Sequence, residues 1–307
     1  MGRLSGKQLT LRKLSGREER FILLAIDQRL PFYQLYRLVA PARPGLSREA
    51  LAREVVQFKA LVMKALGFLS TGVLLDPFHG EAALGRFLLG VELLLTLEDY
   101  RFCDTMERFC LRRAISRLGV RSTVRAGTQG VKLLVWYRLD ALGSVRRGLR
   151  EGVRKVGQAC HYEGHHEGLG FIIVLAILPH PLISVVGETE VPSELWEEVL
   201  RGFAGPEFGV DLYKLPSVEG MLVLFRRTLL APWIPLSGGR EAKAFPCVLE
   251  AALAWRARGF LAERAFWWEA RSTYPDWASV QAGLERAKKS LKEAVDLFST
   301  LYPLGVA

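Results

Sequence analysis

A (β/α)8 TIM barrel of the α/β class, one domain running from residue 1 to 307, is the fold that three features of the sequence predict. Eight short runs rich in Val, Ile, Leu and aromatics recur along the chain, segments of helical period lie between them, and no Ser/Pro/Gly-rich linker divides it. Strands buried on both faces read as apolar runs, and parallel neighbours need a crossover, which a helix supplies. Half of the residues are hydrophobic, enough to fill a large core.

Residues 1–19 are basic and polar without the apolar stretch of a signal peptide, and are expected to form an N-terminal extension or helix packed on the barrel. The strand runs then follow in order: "RFILLAID" (20–27), "TGVLLDP" (71–77), "GVELLLTLE" (90–98), "GVKLLVWY" (130–137), "GFIIVLAIL" (170–178), "GVDLYKL" (209–215), "WIPLSGG" (233–239) and "GFLAERAF" (259–266). Between the first two, "SREALAREVVQFKALVMKAL" opens on a Ser N-cap and carries apolar residues at three- and four-residue spacing, as an amphipathic helix does.

The net charge of +10 would suit a polyanion, but the basic residues are scattered among acids instead of forming a stripe interleaved with aromatics. No nucleic-acid partner is expected. The aromatic cluster "FWWEA" (266–270) reads as helix-to-barrel core in preference to a base-stacking platform. No run reaches the 18 apolar residues of a membrane span, so a soluble, cytoplasmic protein is expected. Cys103, Cys110, Cys160 and Cys247 lack zinc-ribbon spacing and are expected as reduced, mostly buried thiols. Arg outnumbers Lys nearly threefold and Asn is absent, a composition that suits a thermophile.

Active sites of such barrels gather at the C-terminal ends of the strands. Polar residues late in the runs are therefore the candidates: Asp27, Gln28 and Arg29 after the first, Asp76 after the second, Ser237 and Gly238 at the seventh, and Arg264 at the eighth. Two lysines add to them, Lys132 in the fourth run and Lys214 in the sixth, each inside apolar sequence. A desolvated amine beside a second positive charge favours its neutral, nucleophilic form. It can attack a ketone to give a protonated Schiff base, an electron sink for making or breaking an adjacent C–C bond. The bland alternative is that both lysines extend to the rim, where solvent keeps them charged.

The small residues of "LSGG" (236–239) let backbone N–H groups approach an anion, and Arg264 can grip a phosphate in bidentate fashion. A ketose phosphate is the substrate class these features suit. The alternative is that Ser237 caps a helix and Arg264 pairs with an acid.

The ordered motifs "LLAIDQR" (23–29), "VLLDPFHG" (73–80), "GVKLLVWY", "FGVDLYK" (208–214), "PWIPLSGG" (232–239) and "ERAFWWEA" (263–270) resemble the strand motifs of the class I tagatose-1,6-bisphosphate aldolases, whose relatives include sulfofructose-1-phosphate aldolases. The resemblance covers nearly the whole chain. It implies a lyase of carbohydrate metabolism without a cofactor or metal, cleaving or forming a C–C bond to dihydroxyacetone phosphate plus an aldehyde. It matches Lys214 to the Schiff-base lysine, with Lys132 and Asp27 completing the catalytic set. Gln28, Arg29, Asp76, Ser237, Gly238 and Arg264 would contact substrate. A homodimer is compatible with it.

Two positions depart from the family pattern. The family's strand-five glutamate, a proton shuttle, falls at Val174, and no acid occurs in "GFIIVLAILPH" (170–180). His180 and Tyr137 are the candidate replacements as proton carriers. The glycine before the phosphate-binding arginine is Glu263 here, whose charge is expected to oppose a phosphate. The alternative function is then an aldolase-fold protein that has lost efficient cleavage and serves in ligand binding or regulation. "HYEGHHEG" (161–168) has zinc-ligand residue types but no HExxH spacing, and its glycines predict a surface loop.

Overall fold

The computed structural model describes residues 6–16, 20–29, 32, 43, 45–80, 91–97, 119–137, 143–166, 172–179, 193–216, 222–237 and 241–302. Its strands are β1 (Phe21–Ala25), β2 (Gly72–Leu75), β3 (Glu92–Thr96), β4 (Gly130–Tyr137), β5 (Ile172–Pro179), β6 (Leu212–Pro216), β7 (Trp233–Leu236) and β8 (Gly259–Ala262). All are parallel, each pairs with the next in sequence, and β8 pairs with β1, so the sheet closes.

The described helices are α1 (Gly6–Ser15), α2 (Arg48–Leu66), α3 (Gly119–Arg125), α4 (Gly143–His166), α5 (Ser193–Arg201), α6 (Leu222–Thr228), α7 (Phe245–Ala254), α8 (Arg264–Ser272) and α9 (Trp277–Leu301). The crossover 81–90 between β2 and β3 lies outside the described residues. Several predicted runs overshoot their strands. The eighth is the clearest case: β8 stops at Ala262, and "RAF" of the predicted strand already belongs to α8.

Period-2 alternation divides the strand residues between two environments. Phe21, Leu23, Ala25, Leu74, Leu94, Leu212, Ile234 and Leu261 meet in one cluster inside the barrel. Their neighbours Leu24, Val73, Leu75, Leu95 and Phe260 pack outward against α2, α7, α8 and α9. Six apolar side chains of α2, Leu51, Val55, Phe58, Val62, Met63 and Leu66, are buried there, each contributing about 1.5–3 kcal/mol if fully withdrawn from water.

The N-terminal end of the barrel is plugged by α1. Leu14 joins the interior cluster and lies against Gly72, where an added Cβ would come within 2.7 Å of its Cδ2. Gly259 holds φ 149° at the start of β8, and a Cβ there would meet the Phe21 carbonyl at 1.9 Å, so the β1–β8 closure depends on glycine.

The expected core role of "FWWEA" is observed: Phe266 and Trp267 are buried, and Trp267 Nε1 donates to the Ala25 carbonyl at 3.0 Å. The "HYEGHHEG" loop is corrected, because α4 runs on through His166. A glycine in a helix costs only about 1 kcal/mol. The buried stripe Leu149, Val153, Val156 and Cys160 outweighs it. Cys160 is buried, and burial pushes its thiol pKa up, whereas Cys247 is exposed; Cys103 and Cys110 lie outside the described residues. Among the described residues no helix is long and apolar enough to cross a membrane.

Candidate active site

Alternation also determines what lies above the apolar interior layer. Moving two residues on from Ala25, Leu74, Leu94, Leu212 and Leu261 reaches Asp27, Asp76, Thr96, Lys214 and Glu263, all buried. Lys132 pairs in register with Thr96 and belongs to the same layer. The barrel therefore changes from hydrocarbon to charge at the C-terminal ends of its strands.

The charges are matched pairwise. Lys132 Nζ donates to Asp27 Oδ2 at 2.9 Å, and Lys214 Nζ donates to Glu263 Oε1; the two lysines are 4 % and 5 % exposed, Glu263 6 %. Burial pushes the Asp27 carboxyl up, but Lys132, Lys214 and Lys59 together outweigh it and hold its pKa below the ordinary carboxylate range. The like charge expected to press on Lys214 is thus offset at Asp27. Glu263 does not stand as a free repulsive charge before a phosphate, since its carboxylate is turned onto Lys214.

A third lysine completes the layer from outside the sheet. Lys59 of α2 is fully buried, donates to the carbonyls of Ile26 (2.8 Å) and Gln28 (3.1 Å), and pairs with Asp76. Desolvation depresses its pKa against the pull of Asp76. The other Asp76 oxygen accepts from Phe78 N (3.0 Å) and His79 N (2.9 Å). Burial pushes Asp76 up, and Lys59 with these donors holds it well below the usual range. Asp76, a predicted substrate contact, joins Lys59 of α2 to the turn after β2, and Lys59 in turn holds the segment after β1. The sequence signal for Lys59 was its place on the apolar stripe of α2, between Val55 and Val62.

The remaining candidates distribute as follows. Arg29 is buried with its guanidinium 5.7 Å from the Phe78 ring centroid, and Gln28 is half-buried. Gln28 Oε1, Ser237 Oγ and Thr96 Oγ1 are buried without a hydrogen-bond partner among the described residues. Such groups are costly unless something completes them. Thr96 was missed because an isolated threonine in a strand carries no signal. Arg264 is half-buried at the start of α8. Gly238 and His180 lie outside the described residues.

Tyr137 is corrected. Five residues from Lys132 on one strand, it belongs to the opposite face, where its ring meets Phe203 edge-on at 5.6 Å in the outer core. On β5, Val174 stands in register with Lys132 and Leu212, and Ala176 with Lys214, so β5 places no acid beside either lysine.

A cavity of about 560 Å³ lies at the other end of the barrel, lined by Arg12 of α1, Phe21, Leu229, Trp233, Trp255 and Arg258. None of the three lysines lines it, so it is separate from the charged layer. Among the described residues no group of three or more His, Cys, Asp or Glu could hold a metal.

No family model matches the chain. Tagatose 1,6-diphosphate aldolase of Lactococcus lactis subsp. lactis is 26% identical over 287 residues, covering 85% of this chain and 84% of its own. That of Streptococcus agalactiae serotype V is 25% identical over 292 residues, with 87% and 86% covered. The chain is a divergent relative of the tagatose-1,6-bisphosphate aldolases. Solved structures agree on the fold. A Schiff-base-forming fructose-1,6-bisphosphate aldolase superposes with TM-score 0.56 at 16% identity, covering 94% of this chain and 98% of its own. An archaeal fructose 1,6-bisphosphate aldolase gives 0.55 at 17% identity, with 92% and 98% covered. A Corynebacterium glutamicum protein gives 0.58 at 21%, with 91% and 88% covered.

Proposed function

We propose that this protein is a class I aldolase, an aldehyde-lyase carried on a complete (β/α)8 barrel, that joins Lys214 to a ketose phosphate of the tagatose or fructose 1,6-bisphosphate type. Cleavage gives dihydroxyacetone phosphate and an aldehyde, and the reverse direction forms the C–C bond. The observation that carries the reading is a lysine amine, 5 % exposed, among paired charges at the C-terminal end of a parallel barrel. The sequence relationship to tagatose aldolases supports the same substrate class.

In this reading Lys214 attacks the ketone carbon, and the imine it forms draws electrons from the bond to be broken. Lys132 and Asp27 form an ion pair beside it that steadies developing charge without itself exchanging protons. Gln28, Ser237, Arg29 and Arg264 are the proposed substrate contacts. The unpaired oxygens of Gln28 and Ser237 would be completed by sugar hydroxyl or phosphate groups.

Borohydride reduction in the presence of dihydroxyacetone phosphate tests this. Reduction traps only a true Schiff base, so the adduct mass is expected on the peptide bearing Lys214 and to vanish in Lys214→Met. No adduct, with an established class I aldolase labelled in parallel, refutes the reading. A ligand-binding or regulatory role would follow if β5 had to supply the acid, since neither Val174 nor Ala176 can.

A further inference from the structure

An imine-forming lysine needs a partner that can take up and return protons. Of the carboxylates in the charged layer, Asp76 is engaged by Lys59 and by two backbone N–H groups, and Asp27 is held by Lys132. Glu263 is different. It occupies the N-cap position of α8 and makes no capping hydrogen bond to the helix. Its carboxylate reaches into the barrel to Lys214 Nζ, linking β8 to β6 across 49 residues of sequence.

We infer that Glu263 is the proton carrier of the Lys214 imine, supplied from the end of β8, where β5 places only Val174 and Ala176 beside the lysines. The inference rests on the aldolase reading and adds to it a catalytic residue. Asp27 cannot take the role as readily, because the surrounding lysines keep it ionised.

The proton balance closes within the pair. The Lys214 ammonium passes one proton to the Glu263 carboxylate, leaving a neutral amine and a carboxylic acid. The amine adds to the ketone carbon, the C=O π electrons move to oxygen, and a proton shifts from nitrogen to that oxygen to give the carbinolamine. Glu263 then protonates the hydroxyl, which departs as water with formation of the iminium, and is a carboxylate again. As a base it removes the proton from the hydroxyl on the carbon beyond the scissile bond. That bond breaks, the aldehyde forms, and its electron pair flows into the iminium to give the enamine. Glu263 returns the proton to the enamine carbon, and water adds to the resulting iminium and releases the ketone and the Lys214 ammonium, which restores the starting ammonium–carboxylate pair.

The test separates carrying protons from merely holding Lys214. With dihydroxyacetone phosphate as the probe, wild type and Glu263→Gln are compared for two quantities: adduct trapped at Lys214 by borohydride at equilibrium, and exchange of the ketone's α-hydrogen with deuterium oxide. Exchange passes through the enamine and needs the carrier; the equilibrium adduct does not. We expect Glu263→Gln to keep at least half of the adduct while exchange per mole of adduct falls about 100-fold or more, within the usual 10²–10⁴-fold contribution of general acid–base catalysis. Glu263→Asp, which keeps a carboxylate, should recover part of the exchange and serves as the decisive variant if Glu263→Gln does not fold. Exchange within threefold of wild type at equal adduct overturns the inference and leaves the aldolase reading standing. Adduct and exchange falling in proportion also overturn it, since Glu263 would then only position Lys214. Absence of adduct in wild type refutes both.

Discussion

Lys132 Nζ meets Asp27 Oδ2 at 2.9 Å inside the barrel, joining residues 105 positions apart, and both groups are more than nine-tenths buried. Removing one member of a buried ion pair strands the other without solvent. Lys132→Met is therefore expected to lose about 3–5 kcal/mol of stability, most of it recovered in Lys132→Met/Asp27→Asn. Urea unfolding of the two variants reads this directly, and additive losses would show that the groups act independently.

The Lys59–Asp76 pair makes a parallel prediction with a different consequence. Lys59→Met is expected to cost about 3–5 kcal/mol, and adding Asp76→Asn, which keeps an acceptor for Phe78 N and His79 N, should restore most of it. Because Lys59 also holds the carbonyls of Ile26 and Gln28, the single variant should lose aldol cleavage too. A stable Lys59→Met with wild-type turnover would remove Lys59 from the site's framework.

Acid should destabilise the fold through these same carboxyls. Asp27 and Asp76 have folded pKa values below the ordinary value, which is about 3.9 in an unfolded chain. A depressed folded pKa contributes stability that is fully present above the unfolded value and lost as pH falls through the folded one. Unfolding free energy should accordingly drop progressively below about pH 4, and the drop should be shallower in Asp76→Asn. Denaturant titrations at several acidic pH values decide it, with equal slopes for wild type and variant as the contrary result.

Ser237 makes a prediction of the opposite kind. Its Oγ is buried without a partner among the described residues, so Ser237→Ala should cost no stability and should raise it, because the uncompensated hydroxyl is removed. If substrate completes that hydroxyl, the variant loses one hydrogen bond worth about 0.5–1.5 kcal/mol, a rise in KM of roughly two- to twelvefold. Calorimetry and steady-state kinetics together separate the two effects. An unchanged KM would assign Ser237 no contact.

Much of the site could be read in sequence because strands carry a local code. Lys132 and Lys214 were conspicuous inside apolar runs, and Asp27 and Glu263 fall at strand ends that apolar runs and turn residues mark. The face occupied by Tyr137 was also readable, since an odd spacing from Lys132 along one strand puts the two on opposite sides. The long predicted eighth strand failed for a local reason too: "RAF" is as compatible with a helix as with a strand.

By itself, then, the sequence determined the number and order of the strands, the residues at their C-terminal ends and the two lysines that break the apolar pattern. Tertiary structure alone decided which carboxylate meets which lysine. Closing the barrel brings Glu263 to Lys214 and Asp27 to Lys132, and packing α2 delivers Lys59 to Asp76. Those pairings make Glu263 the partner of the buried Lys214 amine and Asp76 an anchor for α2. The physical reason is that a buried charge takes its meaning from the nearest opposite charge, and here that charge is distant in the chain, beyond the reach of periodicity or spacing.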